Sequence, residues 1–381
     1  MNVCLLTSSF PARRDDLAQA PFLVPFIEGL KKRGHRVFVF TQDRQEEKEE
    51  FLEDVRVKWF PWMGVERPLV HLTLLHPLDG LRIGSLFLRG RREVIPFLRE
   101  NQVEACLALW VLPSGSFANH AFRRLGIPYS LWALGSDIYR LGRNPLLRPI
   151  MRRIIREARN VFADGFDLAK KVEEGFQRSC TFLASARPLK KVDRQKPKNA
   201  SSTYQFLYVG RLERVKGVDL LLEAMNLLAG EKVELNLTVV GSGGLEDWAR
   251  RFVAEKDLGR LVSLLGNVPD EVLASLYVSC DCVVVPSRSE SIPLVLSEAL
   301  GFDKDLIVTD VGDMGTLGRQ YGVARVVPSE DPAALRDAMV EKVRGHGEGK
   351  RGPEYEGKRA ELVRLFDIET SVERFLVDYL H

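Results

Sequence analysis

Short apolar, β-branched runs alternate with amphipathic stretches along most of this chain, and that alternation restricts the fold more than any other feature. In the first half the strand candidates are Val3–Thr7, Val37–Thr41, Val55–Phe60, Ala105–Trp110, Tyr129–Leu134 and Asn160–Ala163. Between them, stretches such as Phe22–Arg33 and Gly115–Leu125 carry apolar residues at helical spacing. Repeated βα units imply a mostly parallel, doubly wound sheet. The texture changes at Arg187–Thr203, which is polar, basic and poor in apolar residues, and reads as an interdomain linker. The alternation then restarts. Strands are expected at Tyr204–Gly210, Leu235–Gly241, Val262–Gly266, Cys280–Pro286 and Leu306–Thr309. Helices are expected at Val218–Ala229, Leu245–Asp257 and Asp270–Ser279. A chain of 381 residues is long for one core and fits two. The expected organisation is therefore one α/β domain over 1–185, a linker over 186–203 and a second α/β domain over 204–360. A glycine-rich break, Gly345–Pro353, precedes a helix-like end, Glu369–Leu380. Two such domains in succession usually leave a ligand cleft between them.

Composition narrows the class further. The chain is 45% hydrophobic and 28% charged, as globular proteins are, and no run approaches the roughly 18 apolar residues of a spanning helix. The N-terminus, Met1–Phe10, has no basic leader and reads as a first strand, not a signal peptide. The cysteines at 4, 106, 180, 280 and 282 sit in or beside apolar segments without the clustering a metal site needs, so reduced core thiols in a cytoplasmic protein are expected. The net charge of +3 hides an asymmetry: residues 1–200 carry 34 Lys/Arg against 22 Asp/Glu, and residues 201–381 carry 21 against 30. Only the first half is expected to meet an anionic surface.

The chemistry-bearing residues of the second half cluster at expected strand ends, where open α/β sheets bind ligands. Glu290 and Glu298 stand eight positions apart, one after the apolar run Cys282–Pro286 and one on the helix that follows. Pro293 suits that helix's first turn. Two carboxylates so placed can accept hydrogen bonds from two parts of one hydroxyl-rich ligand, such as a sugar and a ribose. Gly210 frees the backbone at another strand tip, and Arg211 and Lys216 put two cations in the loop before a helix starting near Gly217. Amides, helix dipole and cations together suit a diphosphate; the alternative is a solvated basic turn. Gly241, Gly243 and Gly244 form a second glycine-rich turn that lacks the third glycine spacing of a dinucleotide fingerprint; it suits either a ligand or a tight βα loop alone. Gly266, Asn267 and Val268 end a strand and offer backbone groups to a nucleobase edge, while Asp270 is placed as an N-cap. The turn Asp310–Gly315 has glycines that permit close approach of backbone to a ligand; the alternative is an ordinary turn.

In the first half, Trp110–Ser116 and Leu134–Asp137 lie at expected strand ends. Asp137 is either an acceptor contact or a cap for Ile138–Leu141. His35 reads as structural, and His71, His76, His120, His346 and His381 show no metal-ligand spacing. There is neither a Gly-x-Ser-x-Gly elbow nor a Gly-x4-Gly-Lys-Ser/Thr loop, which argues against a P-loop ATPase. Two basic amphipathic stretches, Leu81–Arg99 and Leu146–Arg159, suit either anionic headgroups or a core face backed by solvated arginines.

Taken in order, these pieces resemble one family. Val209-Gly-Arg-Leu with Lys216-Gly, Val240-Gly-Ser-Gly, Leu265-Gly, Pro286-Ser, Glu290-x7-Glu298-Ala-Leu-Gly and Thr309-Asp-Val-Gly are similar to the donor domain of family 4 (group 1) retaining glycosyltransferases with the GT-B fold. The first domain matches more loosely, through Ser9, Phe10 and Pro11, Leu30 with Gly34-His35-Arg-Val37, Trp110-x-Leu-Pro, and Gly135, Ser136 and Asp137. The resemblance implies two Rossmann-like domains facing a central cleft, with the last segment, 361–381, returning to the first domain. It implies Arg211 and Lys216 on the diphosphate of a nucleotide-sugar donor, Glu290 on the sugar and Glu298 on the ribose. It also implies the segment Ser291, Ile292, Pro293 and Leu294 at the distal phosphate, and Asp137 near the transferred sugar. Ser9, Phe10, Pro11, Trp110, Gly135 and Ser136 would face the acceptor. No cofactor and no essential metal are expected, and no nucleic-acid partner. Two positions depart from the family pattern: the first loop, Phe10–Ala18, lacks the usual glycine pair, and Leu134 stands where a histidine is common. The expected function is transfer of a hexose-type sugar, with retention, to a lipid-linked or polysaccharide-precursor glycan, in the cytoplasm and peripherally at the inner membrane face. The alternatives are a sugar-nucleotide 2-epimerase of the same fold and a sugar-nucleotide-binding subunit with weakened catalysis.

Overall fold

The structure is a computed structural model, and it describes residues 1–13, 19–44, 46–65, 69, 72, 76–139, 141–189, 203–231, 233–345 and 352–380. Most of the expected linker 186–203, part of the break 345–353, part of the first loop (14–18) and His71, His346 and His381 lie outside the described residues. The chain divides into two compact units: Met1–Ser185 together with Ile368–His381, and Ala186–Asp367.

The first unit runs β1 (Asn2–Leu6), α1 (Leu23–Lys32), β2 (Arg36–Gln42), β3 (Arg56–Phe60), α2 (Pro77–Glu100), β4 (Ala105–Leu109), α3 (Ser114–Leu125), β5 (Tyr129–Ala133), α4 (Ser136–Tyr139), α5 (Arg148–Glu157), β6 (Val161–Ala163), α6 (Phe166–Phe176) and β7 (Thr181–Phe182). Its seven strands are all parallel, in the order β3-β2-β1-β4-β5-β6-β7. Every residue of β4, β5 and β6 is buried, as expected of strands covered by helices on both faces. Phe40 of β2 stacks on Phe60 of β3, and Phe117 of α3 packs edge-on to both.

The second unit runs β8 (Tyr204–Val209), α7 (Val218–Leu228), β9 (Leu235–Val240), α8 (Glu246–Glu255), β10 (Val262–Gly266), α9 (Asp270–Ser279), β11 (Cys282–Val285), α10 (Leu294–Gly301), β12 (Asp305–Thr309), α11 (Gly312–Tyr321), β13 (Arg325–Val327), α12 (Pro332–Arg344) and α13 (Pro353–Leu365). Its six parallel strands follow the order β10-β9-β8-β11-β12-β13. The last helix, α14 (Ile368–Leu380), belongs to the first unit. There Phe375 packs on Phe26 and Phe162, Ser371 Oγ donates to the Ala184 carbonyl (2.9 Å) and Arg33 Nη2 pairs with Glu373 (2.8 Å).

Several local expectations change. The strands β7 and β13, two and three residues long, leave too little pattern to be read from sequence. The basic stretch Leu81–Arg99 is part of the 24-residue α2, which contains Pro96, and the second narrows to α5. Pro293 is extended (φ −74°, ψ 144°) and sits just before α10, so it precedes the first turn without entering it. Asp270 opens α9 as its first residue, with Pro269 in the cap position and no side-chain cap bond.

Each sheet reverses its winding once, between β1 and β4 in the first unit and between β8 and β11 in the second. Ligands of such sheets bind outside the strand ends at this reversal. In the second unit the loops there touch backbone to backbone. Gly217 is left-handed (φ 72°), and a Cβ on it would lie 1.9 Å from the Pro286 carbonyl oxygen. Gly312 (φ 52°) would put a Cβ 2.1 Å from the Glu290 carbonyl oxygen. Only glycine meets both the dihedral and the space. Gly217→Ala is therefore expected to lower the thermal midpoint of the protein by roughly 5–10 °C, measured by circular dichroism or calorimetry.

Candidate functional site

The reversal point of the second sheet gathers Lys216, Ser287, Arg288 and Glu290. A short 3-10 turn, Arg214–Lys216, follows β8 and ends at left-handed Gly217. Its last residue, Lys216, directs Nζ onto Glu290 Oε1, which also accepts from Ser287 Oγ (3.3 Å). Both charged side chains are mostly buried, at 23% and 13% exposure, so the contact is shielded from screening by salt. Arg288 locks the loop from behind: its guanidinium grips Asp219 with two bonds, 2.6 and 2.8 Å, and Nε reaches Glu330 at 2.6 Å. The paired carboxylates, Asp219 first, raise the Arg288 pKa further. The Ser287 carbonyl accepts from Thr309 Oγ1 (2.6 Å), which ties β12 to the same loop. Arg211 stands exposed at the mouth of the β8 loop, with its carbonyl accepting from the Tyr208 hydroxyl (3.0 Å). One cation is thus already in contact with a carboxylate while the other faces solvent.

The remaining donor-side candidates fall into three places. The Gly210 and Gly241 amides are spent on strand continuation, donating to the Val240 and Gly266 carbonyls (3.0 and 2.8 Å). Gly243 is exposed, and Asn267 donates to Ser242 Oγ (2.9 Å), which joins the turns after β9 and β10; Val268 is half-buried beside it. Ser291, Ile292 and Pro293 are buried and Leu294 half-buried on the way into α10. Ser291 Oγ is enclosed without a hydrogen-bond partner, an unusual state for a hydroxyl.

Glu298 is separated from Glu290 in kind as well as in position. It is 5% exposed and both of its oxygens are engaged. Oε1 accepts from Arg187 Nε and Nη2 (3.0 and 2.7 Å), and Oε2 accepts from the Tyr277 hydroxyl (2.7 Å). Arg187 Nη1 reaches Asp270 at 3.2 Å, so the carboxylate placed as a cap serves an ion pair instead. Burial disfavours charge on Arg187, but Glu298 and then Asp270 outweigh it and the net pKa rises. For Tyr277, burial and then the Glu298 charge push the hydroxyl well above its ordinary range, so it remains a donor. Sequence reading passed over Arg187, Tyr277 and Arg288. Arg187 lies in a stretch that reads as linker, and no local pattern marks the other two.

In the first unit, Asp137 sits on the four-residue α4 and is 1% exposed. Oδ2 accepts from the Val111 amide (2.8 Å), which holds the loop after β4 against the loop after β5, while Oδ1 has no hydrogen-bond partner. It therefore acts as a tie between loops. Burial raises its pKa to about 6, against the opposing pull of backbone amides, Val111 first. Trp110 is half-buried with φ 65°, Gly135 is left-handed and buried, and Ser136 is exposed. Phe10 and Pro11 are buried, Phe10 against Phe51 and Trp59, so of the first loop's candidates only Ser9 is partly open, with Oγ bonded to Gln19 (2.7 Å). A surface cavity of about 340 Å³ is lined by Arg123, Arg152, Arg153, Arg156, Pro149 and Glu157. All five cysteines are free and buried; burial pushes the Cys180 thiol up to about 12. Among the described residues no three His, Cys, Asp or Glu side chains group to hold an ion.

Two doubly wound parallel units, with charged side chains at the winding reversal, define a GT-B architecture. Two family models cover most of the chain: "Glycosyl transferase 4-like domain" over residues 19–177 and "Glycosyl transferases group 1" over residues 190–345. The chain belongs to the group 1 glycosyltransferases of family 4. It is similar to the D-inositol 3-phosphate glycosyltransferase of Pseudarthrobacter chlorophenolicus (35% identical over 116 residues, 29% of this chain and 28% of that one). It is also similar to the enzyme of the same name from Paenarthrobacter aurescens (28% over 184 residues, 47% and 42%). The chain thus spans less than half the length of these curated relatives. Among solved structures it resembles sucrose-phosphate synthase from Thermosynechococcus elongatus (TM-score 0.80, 19% identical, covering 100% and 98%). It also resembles the Anabaena protein HepE in complex with UDP-glucose (TM-score 0.72, 16% identical, covering 98% and 97%). At these identities the structural likeness speaks of the fold.

The raised Asp137 pKa sets a sign. The folded chain holds this proton up to about pH 6, and the unfolded chain releases it near the ordinary 3.8. The contribution of protonated Asp137 to stability is therefore full below about pH 4 and is lost as pH rises through 6. Asp137→Asn removes this titration, so from pH 4 to pH 7 its stability relative to the unsubstituted protein should improve by about 2–3 kcal/mol in denaturant unfolding.

Proposed function

We propose that the chain is a retaining, metal-independent glycosyltransferase that moves a hexose-type sugar from a nucleotide-diphosphate-sugar to a lipid-linked or polysaccharide-precursor glycan. The contact between Lys216 and Glu290 at the β8/β11 reversal carries this reading. A diphosphate and a sugar are adjacent parts of one donor, and here a cation and a hydrogen-bond acceptor are held adjacent by Gly217, Arg288 and Thr309. In the reaction, negative charge builds on the departing diphosphate while the sugar carbon becomes electron-poor. Lys216 and Arg211 stabilise the first, and Glu290 orients the sugar by accepting from its hydroxyls without forming a covalent bond. The turns at Gly241–Gly243 and Gly266–Val268 meet the base, Glu298 meets the ribose, and the amides after Ser291 meet the distal phosphate. That HepE was solved with UDP-glucose supports a nucleotide-sugar donor.

The acceptor belongs to the first unit in this reading, around Ser9, Trp110 and Gly135–Asp137. Its lipid portion is served by a basic, apolar surface. Leu146 and Ile150 are 79% and 49% exposed beside the arginines of α5, and Leu81 and Leu88 are 60% and 72% exposed on α2. No described helix is long and apolar enough to cross a membrane. Surface attachment fits this arrangement.

A thermal-shift screen of UDP-, GDP- and ADP-sugars identifies the donor by the stabilisation that binding brings. With that donor, Lys216→Ala should lower kcat/KM by roughly 10²–10³-fold, and Glu290→Ala should still bind donor but lose turnover. Donor binding without turnover across a panel of acceptors would point instead to a binding subunit. Co-sedimentation should occur with anionic but not zwitterionic vesicles and weaken as salt rises. Exchanging Leu88 and Leu146 for glutamate should abolish it.

A further inference from the structure

Glu298 is held by three donors before any ligand arrives, and they are unequally shared. Arg187 places two bonds, 3.0 and 2.7 Å, on Oε1, and Tyr277 places one, 2.7 Å, on Oε2. A carboxylate oxygen has two lone-pair directions. Oε1 is therefore filled by the guanidinium fork, and Oε2 retains one free direction. The side chains of Arg187 and Glu298 are 9% and 2% exposed, so neither exchanges partners with bulk water. Arg187 is anchored in turn by Asp270 (3.2 Å), and Tyr277 stacks on Phe302 with centroids 5.2 Å apart. The cluster lies wholly within the second unit.

We propose that Arg187 is a positioning residue for donor recognition: by saturating Oε1 it leaves Oε2 of Glu298 as the single acceptor for one ribose hydroxyl of the nucleotide. The inference rests on the reading of Glu298 as the ribose contact and adds the device that prepares it. Without the fork, the glutamate regains side-chain freedom, and binding must order it again. One free lone pair also means that one ribose hydroxyl, and not both, is read through this carboxylate.

The test compares UDP, GDP and ADP with their 2′-deoxy and 3′-deoxy forms by titration calorimetry, on the whole protein and on Arg187→Met, Arg187→Lys and Glu298→Gln. The unsubstituted protein should lose roughly ten- to hundredfold in affinity for one of the two deoxy forms and little for the other. Arg187→Met should bind the parent nucleotide more weakly and bring the ratio of parent to deoxy affinity close to one. In turnover it should raise donor KM with little change in kcat. A purely structural role would weaken parent and deoxy forms alike and leave the ratio intact, which would overturn the proposal. Equal penalties for both deoxy forms would also overturn it, as would tighter binding by Arg187→Met, since the arginine would then be competing with the ribose. Should the methionine variant not fold, because it strands a buried carboxylate, Arg187→Lys answers the same question: it keeps the charge without the fork and should show a reduced ratio. Glu298→Gln separates the two levels. If it keeps the full ribose preference, the ribose reading itself fails; if it loses the preference while both Arg187 variants keep it, only the role of Arg187 fails.

Discussion

The close approach of backbones at the winding reversal of the second sheet is the constraint on which the geometry of the candidate site depends. The turn after β8 presses on the carbonyl of Pro286, and the start of α11 presses on the carbonyl of Glu290. These contacts leave no room for a Cβ at Gly217 or Gly312, and they fix where Lys216 and Glu290 can stand. Hydrogen bonding completes the frame. Thr309 holds the Ser287 carbonyl, and Arg288 spans from that loop to Asp219 on α7 and to Glu330. A pair carried on two loops is thereby held by contacts on several sides.

Within that frame the two glutamates have different electrostatic lives. Glu290 touches a single cation and a serine hydroxyl, and remains partly open. Glu298 is enclosed and answered by an arginine fork and a tyrosine, so its charge is compensated without a ligand. Burying a carboxylate costs several kcal/mol unless it is paired and hydrogen-bonded, and the cluster supplies both. Asp137 in the first unit shows the opposite case. It is buried without a charged partner, and burial raises its pKa to about 6 against the opposing pull of backbone amides.

Much of this was legible in the residues. The alternation of apolar and amphipathic runs gave the βα order, and the β-branched run Cys282–Val285 is a fully buried strand. Gly217, Lys216 and Glu290 stand out because strand ends, glycines and charges coincide there. Arg187 was illegible because its neighbours in sequence are polar and basic, and nothing nearby reveals that its partner stands 111 positions away. Phe10 and Pro11 look like loop residues available to a ligand, yet packing against Phe51 and Trp59 buries the phenylalanine. Asp270 looks like a cap because helix starts favour aspartate, but an ion pair to Arg187 takes its carboxylate.

The sequence by itself determined the two-sheet α/β plan, the positions of strand ends, and the identity of the cations and carboxylates at one of them, because those depend on local periodicity and on residues close together in the chain. Tertiary structure alone decided that Lys216 meets Glu290, that Arg187 and Tyr277 converge on Glu298, and that Asp137 ties the loop after β4 to the loop after β5. Those are contacts between residues 21 to 111 positions apart. They form only when a parallel sheet brings distant strand ends side by side, and a one-dimensional pattern carries no record of which neighbours that will be.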